Sequence, residues 1–288
     1  MIIVTGATGQ LGHAIVERLV ERVPASQVGA SVRDPEKAAG LTALGVRVRA
    51  GDFAYPDSLR HAFEGAAQVL IVSSNARAYG GDTLSQHRSA IEAAQAAGAR
   101  RIVYTSHMAA SAASAFPPML DHAATEDMLR QSALAWTALR HGFYAASGIA
   151  LMGDALKTGE IAAPADGKVS WTAHADLAEA AAIILAEEGT YEGPTPPLTG
   201  SQSLDLADLA GISADLLDRP VRRQTLSDED ERAGLIARGA PERAADMVLG
   251  LYVASRNGEF AAVDPTLERL LGRRLTGMRD LIAAKIAS

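Results

Sequence analysis

The stretch Thr5-Gly6-Ala7-Thr8-Gly9-Gln10-Leu11-Gly12 decides the fold. It follows a short apolar run, Ile2–Val4, and opens a segment with helical spacing, Leu11–Val23. A strand, a glycine turn and a helix N-terminus in that order make the context of a dinucleotide site. Gly6 permits the tight turn, Gly9 lets the backbone approach a pyrophosphate, and Gly12 lets the helix lie close to the strand. Free N–H groups and the positive end of the helix dipole then favour an anion. Gly6, Ala7, Thr8, Gly9, Gln10 and Leu11 are therefore candidate cofactor contacts. The spacing is G-x-x-G-x-x-G rather than G-x-G-x-x-G, and a glycine-rich turn without a ligand is the plainer alternative.

Outward from this loop, the first 140 residues repeat a unit of apolar run, loop and helical pattern. Apolar runs fall at Ile2–Val4, Val28–Val32, Val46–Val48, Val69–Val72, Ile102–Tyr104 and Trp136–Leu139. Most are rich in β-branched residues, as expected of strands buried on both faces. Helical spacing lies between them, at Leu11–Val23, Pro35–Leu44, Ser58–Phe63, Leu84–Ala97 and Met119–Leu129. Alternation of this kind predicts an α/β fold with a doubly wound parallel sheet, the Rossmann architecture.

The rhythm loosens after Tyr144. Asp154–Lys168 reads as loop with at most one strand, Asp176–Glu188 as a returning helix, and Gly193-Pro194-Thr195-Pro196-Pro197 as a linker. Helical patterns then dominate at Leu206–Leu217, Asp228–Arg238, Pro241–Ala254 and Leu267–Ile286. The expected division is a nucleotide-binding domain over 1–190, with 145–170 contributing to the substrate side, and a small, mostly helical C-terminal subdomain over 191–288.

Composition narrows the function. The 288 residues suffice for a full core, and the absence of cysteine excludes disulfides and thiolate chemistry. A net charge of -7 argues against nucleic-acid binding, which draws on clustered Lys and Arg. No run reaches the ~18 to 20 apolar residues of a membrane span, and no leader-like segment opens the chain, so a cytoplasmic location is expected. The seven histidines show no metal-ligand spacing. A small-molecule partner remains, with monomer or homodimer both open.

The second strand chooses the cofactor. Val28–Val32 ends in Arg33, where NAD sites usually carry an acid for the ribose hydroxyl. A guanidinium there suits a 2′-phosphate, which points to NADP (NADPH), with NAD as the alternative and Asp34 a partial counter-charge. Other strand ends supply Asp52 and Phe53, then Ser73, Ser74 and Asn75, then Tyr104-Thr105-Ser106. Ligands in open α/β sheets sit at these carboxyl ends, although each group alone also reads as a plain turn.

These residues resemble the atypical short-chain dehydrogenase/reductases of the NmrA-like group, and in particular its bacterial NAD(P)H:quinone oxidoreductase and triphenylmethane reductase branch. The likeness rests on TGATGQLGH, Val23-Pro24-Ala25-Ser26-Gln27, Val32-Arg33-Asp34-Pro35, Gln86-His87-Arg88 and Tyr104-Thr105-Ser106. It continues through His122-x-x-x-Glu126, Leu139-Arg140-x-Gly142-x-Tyr144 and Asp176-Leu177-Ala178. The resemblance implies cofactor contacts from Gly6 to Leu11, at Arg33, at Ser73 to Asn75, and along His141, Gly142, Phe143 and Tyr144. Two departures stand out: His141 where the group has Asn, and His174 where it has Arg.

The usual Tyr-x-x-x-Lys pair of short-chain reductases is missing, and His122-Ala123-Ala124-Thr125-Glu126 stands in its place. One helical turn separates His122 from Glu126, so an imidazole tuned by a carboxylate is one reading, and ordinary helix N-terminal chemistry is the other. Tyr144 is the second catalytic candidate. Phe143, Tyr144 and Trp171 offer either a stacking wall for a flat acceptor or simple core packing. The function expected is NADPH-dependent hydride transfer to a quinone or a similarly electron-poor aromatic or conjugated molecule. The alternative is a non-catalytic NADP(H)-sensing regulator of the NmrA type.

Overall fold

The computed structural model describes Met1–Ser288. The chain runs β1 (Ile2–Thr5), α1 (Gln10–Val20), β2 (Val28–Val32), α2 (Ala39–Ala43), β3 (Arg47–Ala50), α3 (Pro56–Phe63), β4 (Gln68–Ile71) and α4 (Thr83–Ala96). It continues as β5 (Arg101–His107), α5 (Pro117–Gln131), β6 (Ala135–His141), β7 (Phe143–Tyr144), α6 (Ala145–Leu151), α7 (Ala155–Thr158), β8 (Glu160–Pro164), β9 (Trp171–Thr172) and α8 (His174–Ala186). The remainder is β10 (Gly193–Pro194), α9 (Leu206–Leu217), β11 (Arg222–Leu226), α10 (Asp228–Ala237), α11 (Glu242–Arg256), α12 (Thr266–Leu271) and α13 (Met278–Ala287).

Seven strands form one wholly parallel sheet in the order β10-β6-β5-β4-β1-β2-β3. The order reverses between β1 and β4, which opens a crevice at their carboxyl ends. Both faces are covered, because the strands present apolar side chains in both directions. Val4, Val28, Val103 and Leu139 pack with Ile15, Val16 and Leu19 of α1 and Leu177, Ala181 and Ile184 of α8. Ile3, Val69, Ile71, Ile102 and Tyr104 pack on the other face with Leu59, Phe63, Ile91 and Leu129. A further apolar cluster joins Phe143, Trp171, Leu209, Tyr252, Phe260 and Ile282 beneath the C-terminal helices.

Several local readings differ from the sequence expectation, beginning with the short helix α7, which lies inside the Asp154–Lys168 segment read as loop. Gly193-Pro194 pairs with Thr137 and Ala138 as the seventh strand rather than forming a free linker. Pro194 is tolerated there because β10 is an edge strand, whose outward N–H needs no partner. Leu267–Ile286 is two helices, α12 and α13, separated where Gly272 adopts φ +65°. The intervening bend carries Arg273 and Thr276 to the buried Asp176 carboxylate, at 2.8 Å from the Arg273 Nη2 and 2.8 Å from the Thr276 N–H. Finally, β5 runs on to His107, because parallel pairing with β6 persists to His107↔His141.

Candidate cofactor and substrate site

The glycine loop is built as its spacing demands. Gly6 takes φ +59°, and its carbonyl accepts the Gly9 N–H at 2.9 Å. A Cβ on Gly12 would lie 2.4 Å from the Gly6 oxygen, so only glycine lets α1 come this close to the turn. Gly9 caps α1 without any side-chain hydrogen bond, and no acid occupies the first turn. The first N–H groups of α1 are thus left for an external anion. Gly6, Thr8, Gly9 and Gln10 are exposed, whereas Ala7 and Leu11 turn into the core and contribute backbone only.

Arg33 lies exposed at the end of β2. Asp34 does not neutralise it. That carboxylate accepts the Glu36 N–H at 3.1 Å and pairs with Lys37 at 3.4 Å, which leaves the guanidinium unpaired. At the end of β3, Asp52 caps its own turn by accepting the Ala54 N–H at 2.9 Å, and Phe53 packs partly against the core.

The end of β4 is held by its neighbours. The Ser73 N–H donates to Thr105 Oγ1 at 2.8 Å, and the Ser74 N–H donates to His87 Nε2 at 2.8 Å. That bond puts the ring proton of His87 on Nδ1, which faces Thr125 Oγ1 at 2.8 Å. Burial lowers the His87 pKa to about 4, so the ring stays neutral. Ser74 Oγ donates to Gln86, and Asn75 stands exposed. The Gln86-His87 part of the sequence likeness therefore serves to shape the β4 loop.

At the ends of β5 and β6 lies an assembly of rings. Tyr104 is fully buried, and its hydroxyl shares a hydrogen bond with His122 Nδ1 at 2.7 Å. Tyr104 backs the site rather than facing it. Burial drives the His122 pKa down to about 3. Glu126 does not reach His122: it accepts Ser106 Oγ at 2.6 Å and takes the Arg140 guanidinium at 2.7 and 3.1 Å. The carboxylate joins α5 to β5 and β6, and the imidazole is not raised by it.

His141 is wholly buried, its pKa pushed to about 3 by burial, and neither ring nitrogen has a partner. Gly142 follows because a Cβ there would lie 2.2 Å from Thr172 Oγ1. Phe143 is buried, edge-on to Trp171 at 5.6 Å and to Phe260 at 5.0 Å between centroids. Trp171 belongs to the core: its indole N–H donates to the Leu204 carbonyl at 2.9 Å. Tyr144 tilts against His174 at 4.3 Å, and burial pushes its pKa up to about 12.

Sequence reasoning missed His107. It ends β5, meets Phe143 edge-on at 5.4 Å and Phe260 at 5.6 Å, and stacks on His122 at 6.1 Å. The available signal was its place directly after Tyr104-Thr105-Ser106, three residues beyond the apolar run Ile102–Tyr104. No group of His, Asp or Glu side chains is arranged to hold a metal, and no helix is long and apolar enough to cross a membrane.

Comparison with known proteins agrees with this geometry. Quinone oxidoreductase 2 of Escherichia coli (strain K12) is 37% identical over 284 residues, covering 98% of each chain. The solved structure of the NADPH-dependent quinone oxidoreductase from Escherichia coli, complexed with NADPH, superimposes with a TM-score of 0.90 at 36% identity, over 100% of this chain and 99% of that one. The Citrobacter sp. triphenylmethane reductase complexed with NADP(H) gives a TM-score of 0.88 at 34% identity, over 99% and 100% of the chains. An NmrA-like family domain-containing oxidoreductase of Aspergillus flavus is 29% identical over 286 residues, covering 97% of this chain and 93% of its own. Residues 6–188 match the family described as NAD(P)H-binding. The chain belongs to the NAD(P)H-binding, NmrA-like family of oxidoreductases.

Proposed function

We propose that this protein is an NADPH-dependent reductase that delivers hydride directly to a planar, electron-poor acceptor of the quinone type. One observation carries the reading: an uncapped α1 N-terminus and an unpaired Arg33 stand at the carboxyl ends of β1 and β2, and a cluster of aromatic rings stands at the carboxyl ends of β5 and β6 of the same sheet. The relatives named as quinone and triphenylmethane-dye reductases support it. Bound NADPH supplies two electrons and a proton as hydride. With one further proton from solvent, a quinone becomes a hydroquinone.

The chain's own work is to hold, orient and exclude water. The backbone N–H groups of Gln10 and Leu11, which no carbonyl of the turn takes up, bind the diphosphate, and Arg33 takes the 2′-phosphate. Ser73 to Asn75 border the middle of the cofactor, and His141 to Tyr144 its reactive end. His122 and Tyr144 line that end as neutral groups: with pKa values of about 3 and about 12, neither titrates near neutrality. Both are therefore uncharged at neutral pH, and on this reading the second proton of quinone reduction comes from solvent. Rate enhancement comes from holding donor and acceptor in contact, an effect worth up to ~7 to 11 kcal/mol.

Oxidation of NADPH at 340 nm against quinones and cationic dyes tests the reading. Turnover with a quinone is expected, and tight nucleotide binding without any turnover would favour the sensor reading instead. Arg33→Ala should weaken NADPH roughly tenfold to a hundredfold, from about 1.5 to 3 kcal/mol for a bond to a charged group. NADH binding should change less than about twofold, and an equal loss for both nucleotides would remove Arg33 from the 2′-phosphate.

A further inference from the structure

We propose that His107 is the hydrogen-bond donor that selects carbonyl-bearing acceptors, its Nε2–H receiving the acceptor oxygen on which negative charge builds as hydride arrives. The proposal rests on the reductase reading above and names the residue that decides between its two acceptor classes.

Hydrogen bonding determines the tautomer. His107 Nδ1 accepts the Ala109 N–H at 3.1 Å, so in the neutral ring the proton sits on Nε2. That Nε2 is buried and has no partner in the protein. An unmet buried donor costs about 1 to 3 kcal/mol, which a ligand oxygen would recover. The ring cannot relieve the cost by ionising, because burial and the neighbouring His122 and His141 hold its pKa well below the ordinary value. It therefore donates without giving up its proton.

The surroundings match a flat guest. Phe143 and Phe260 stand edge-on to the imidazole, His122 stacks beside it, and Phe116 packs on both phenylalanines at 5.9 and 6.0 Å. Phe116 and His122 are the half-buried rings of this group, and His107 itself keeps 8% exposure. The position is the carboxyl end of β5, beside His141 on β6, where ligands of open α/β sheets gather. A quinone places an oxygen where charge accumulates and needs such a donor. A cationic triarylmethane dye takes hydride on carbon, loses charge, and has no oxygen to present.

The experiment compares His107→Leu and His107→Gln with the parent protein on a benzoquinone and on a cationic triarylmethane dye, with NADPH affinity measured separately. His107→Leu should lower kcat/KM for the quinone roughly a hundredfold, the lower end of the loss for one preorganised donor. The dye reaction should change less than about threefold. His107→Gln, whose amide nitrogen reaches the Nε2 position, should restore most of the quinone rate. An equal loss on both acceptors, or no loss on the quinone, overturns the proposal. Should His107→Leu fail to fold, the His107 Nε2–H signal of the parent protein decides: it should move downfield when hydroquinone joins the NADP⁺-bound protein, and a fixed signal overturns the assignment. A parent protein that reduces neither acceptor would instead overturn the reductase reading itself.

Discussion

Acidification from pH 7.5 to pH 5 is expected to strip this protein of several kcal/mol of stability, well before most carboxylates are protonated. The cause is its buried imidazoles. His87 and His141 are 1% and 0% exposed, with pKa values of about 4 and about 3 against 6.5 in an unfolded chain. Between those values the unfolded chain binds protons that the folded chain refuses, so stability falls as pH falls. It is fully present above pH 6.5 and declines until the folded pKa is passed. Each group costs about 1.4 kcal/mol per pH unit, hence about 2 kcal/mol at pH 5, and about 4 kcal/mol for the two together. His122 and His107 act in the same direction. Against a total of about 5 to 15 kcal/mol this is a large fraction. Urea midpoints at the two pH values measure it, and a midpoint that stays level or rises would refute the account. His141→Asn should narrow the difference by about 2 kcal/mol, since an amide takes up no proton.

The second large effect belongs to Glu126. It is 3% exposed and holds the Arg140 guanidinium in a two-point contact while accepting Ser106 Oγ. Glu126→Ala would leave a partly buried cation and a buried hydroxyl without partners, a loss of about 3 to 5 kcal/mol. For a chain of this size the melting temperature should drop roughly 10 °C. Glu126→Gln keeps a hydrogen-bonding group and should lose less. Calorimetry checks both, and a loss under about 1 kcal/mol for Glu126→Ala would show that the contact is not structural. The pH profile of turnover should be unchanged in Glu126→Gln, because His122 is bonded to Tyr104 and not to this carboxylate.

His122 and Glu126 show where sequence reading reaches its limit. Their four-residue spacing correctly puts them on one helix, α5, at neighbouring positions. It does not say that Arg140, fourteen residues further on, reaches back to the carboxylate first. Nor does periodicity reveal that Trp171 spends its N–H on Leu204, or that His107 is the last paired residue of β5. By contrast Gly6, Gly9 and Gly12 were legible at once, because a turn that meets a helix so closely has few chemical solutions. Val28–Val32 and Leu206–Leu217 were legible to the residue, since a polar or turn-forming boundary flanks each apolar pattern.

By itself, then, the order of residues settled the local matters: alternating strands and helices, parallel pairing, an anion cradle at the start of α1, and a cation rather than an acid after β2. These follow from near-neighbour sterics and hydrophobic periodicity, which act over a few residues. Only tertiary structure decided which charges find each other, which rings share a box, and which imidazole nitrogens remain without a partner. Those outcomes depend on side chains from distant segments competing for the same acceptor inside a low-dielectric interior, where each pairing forecloses another.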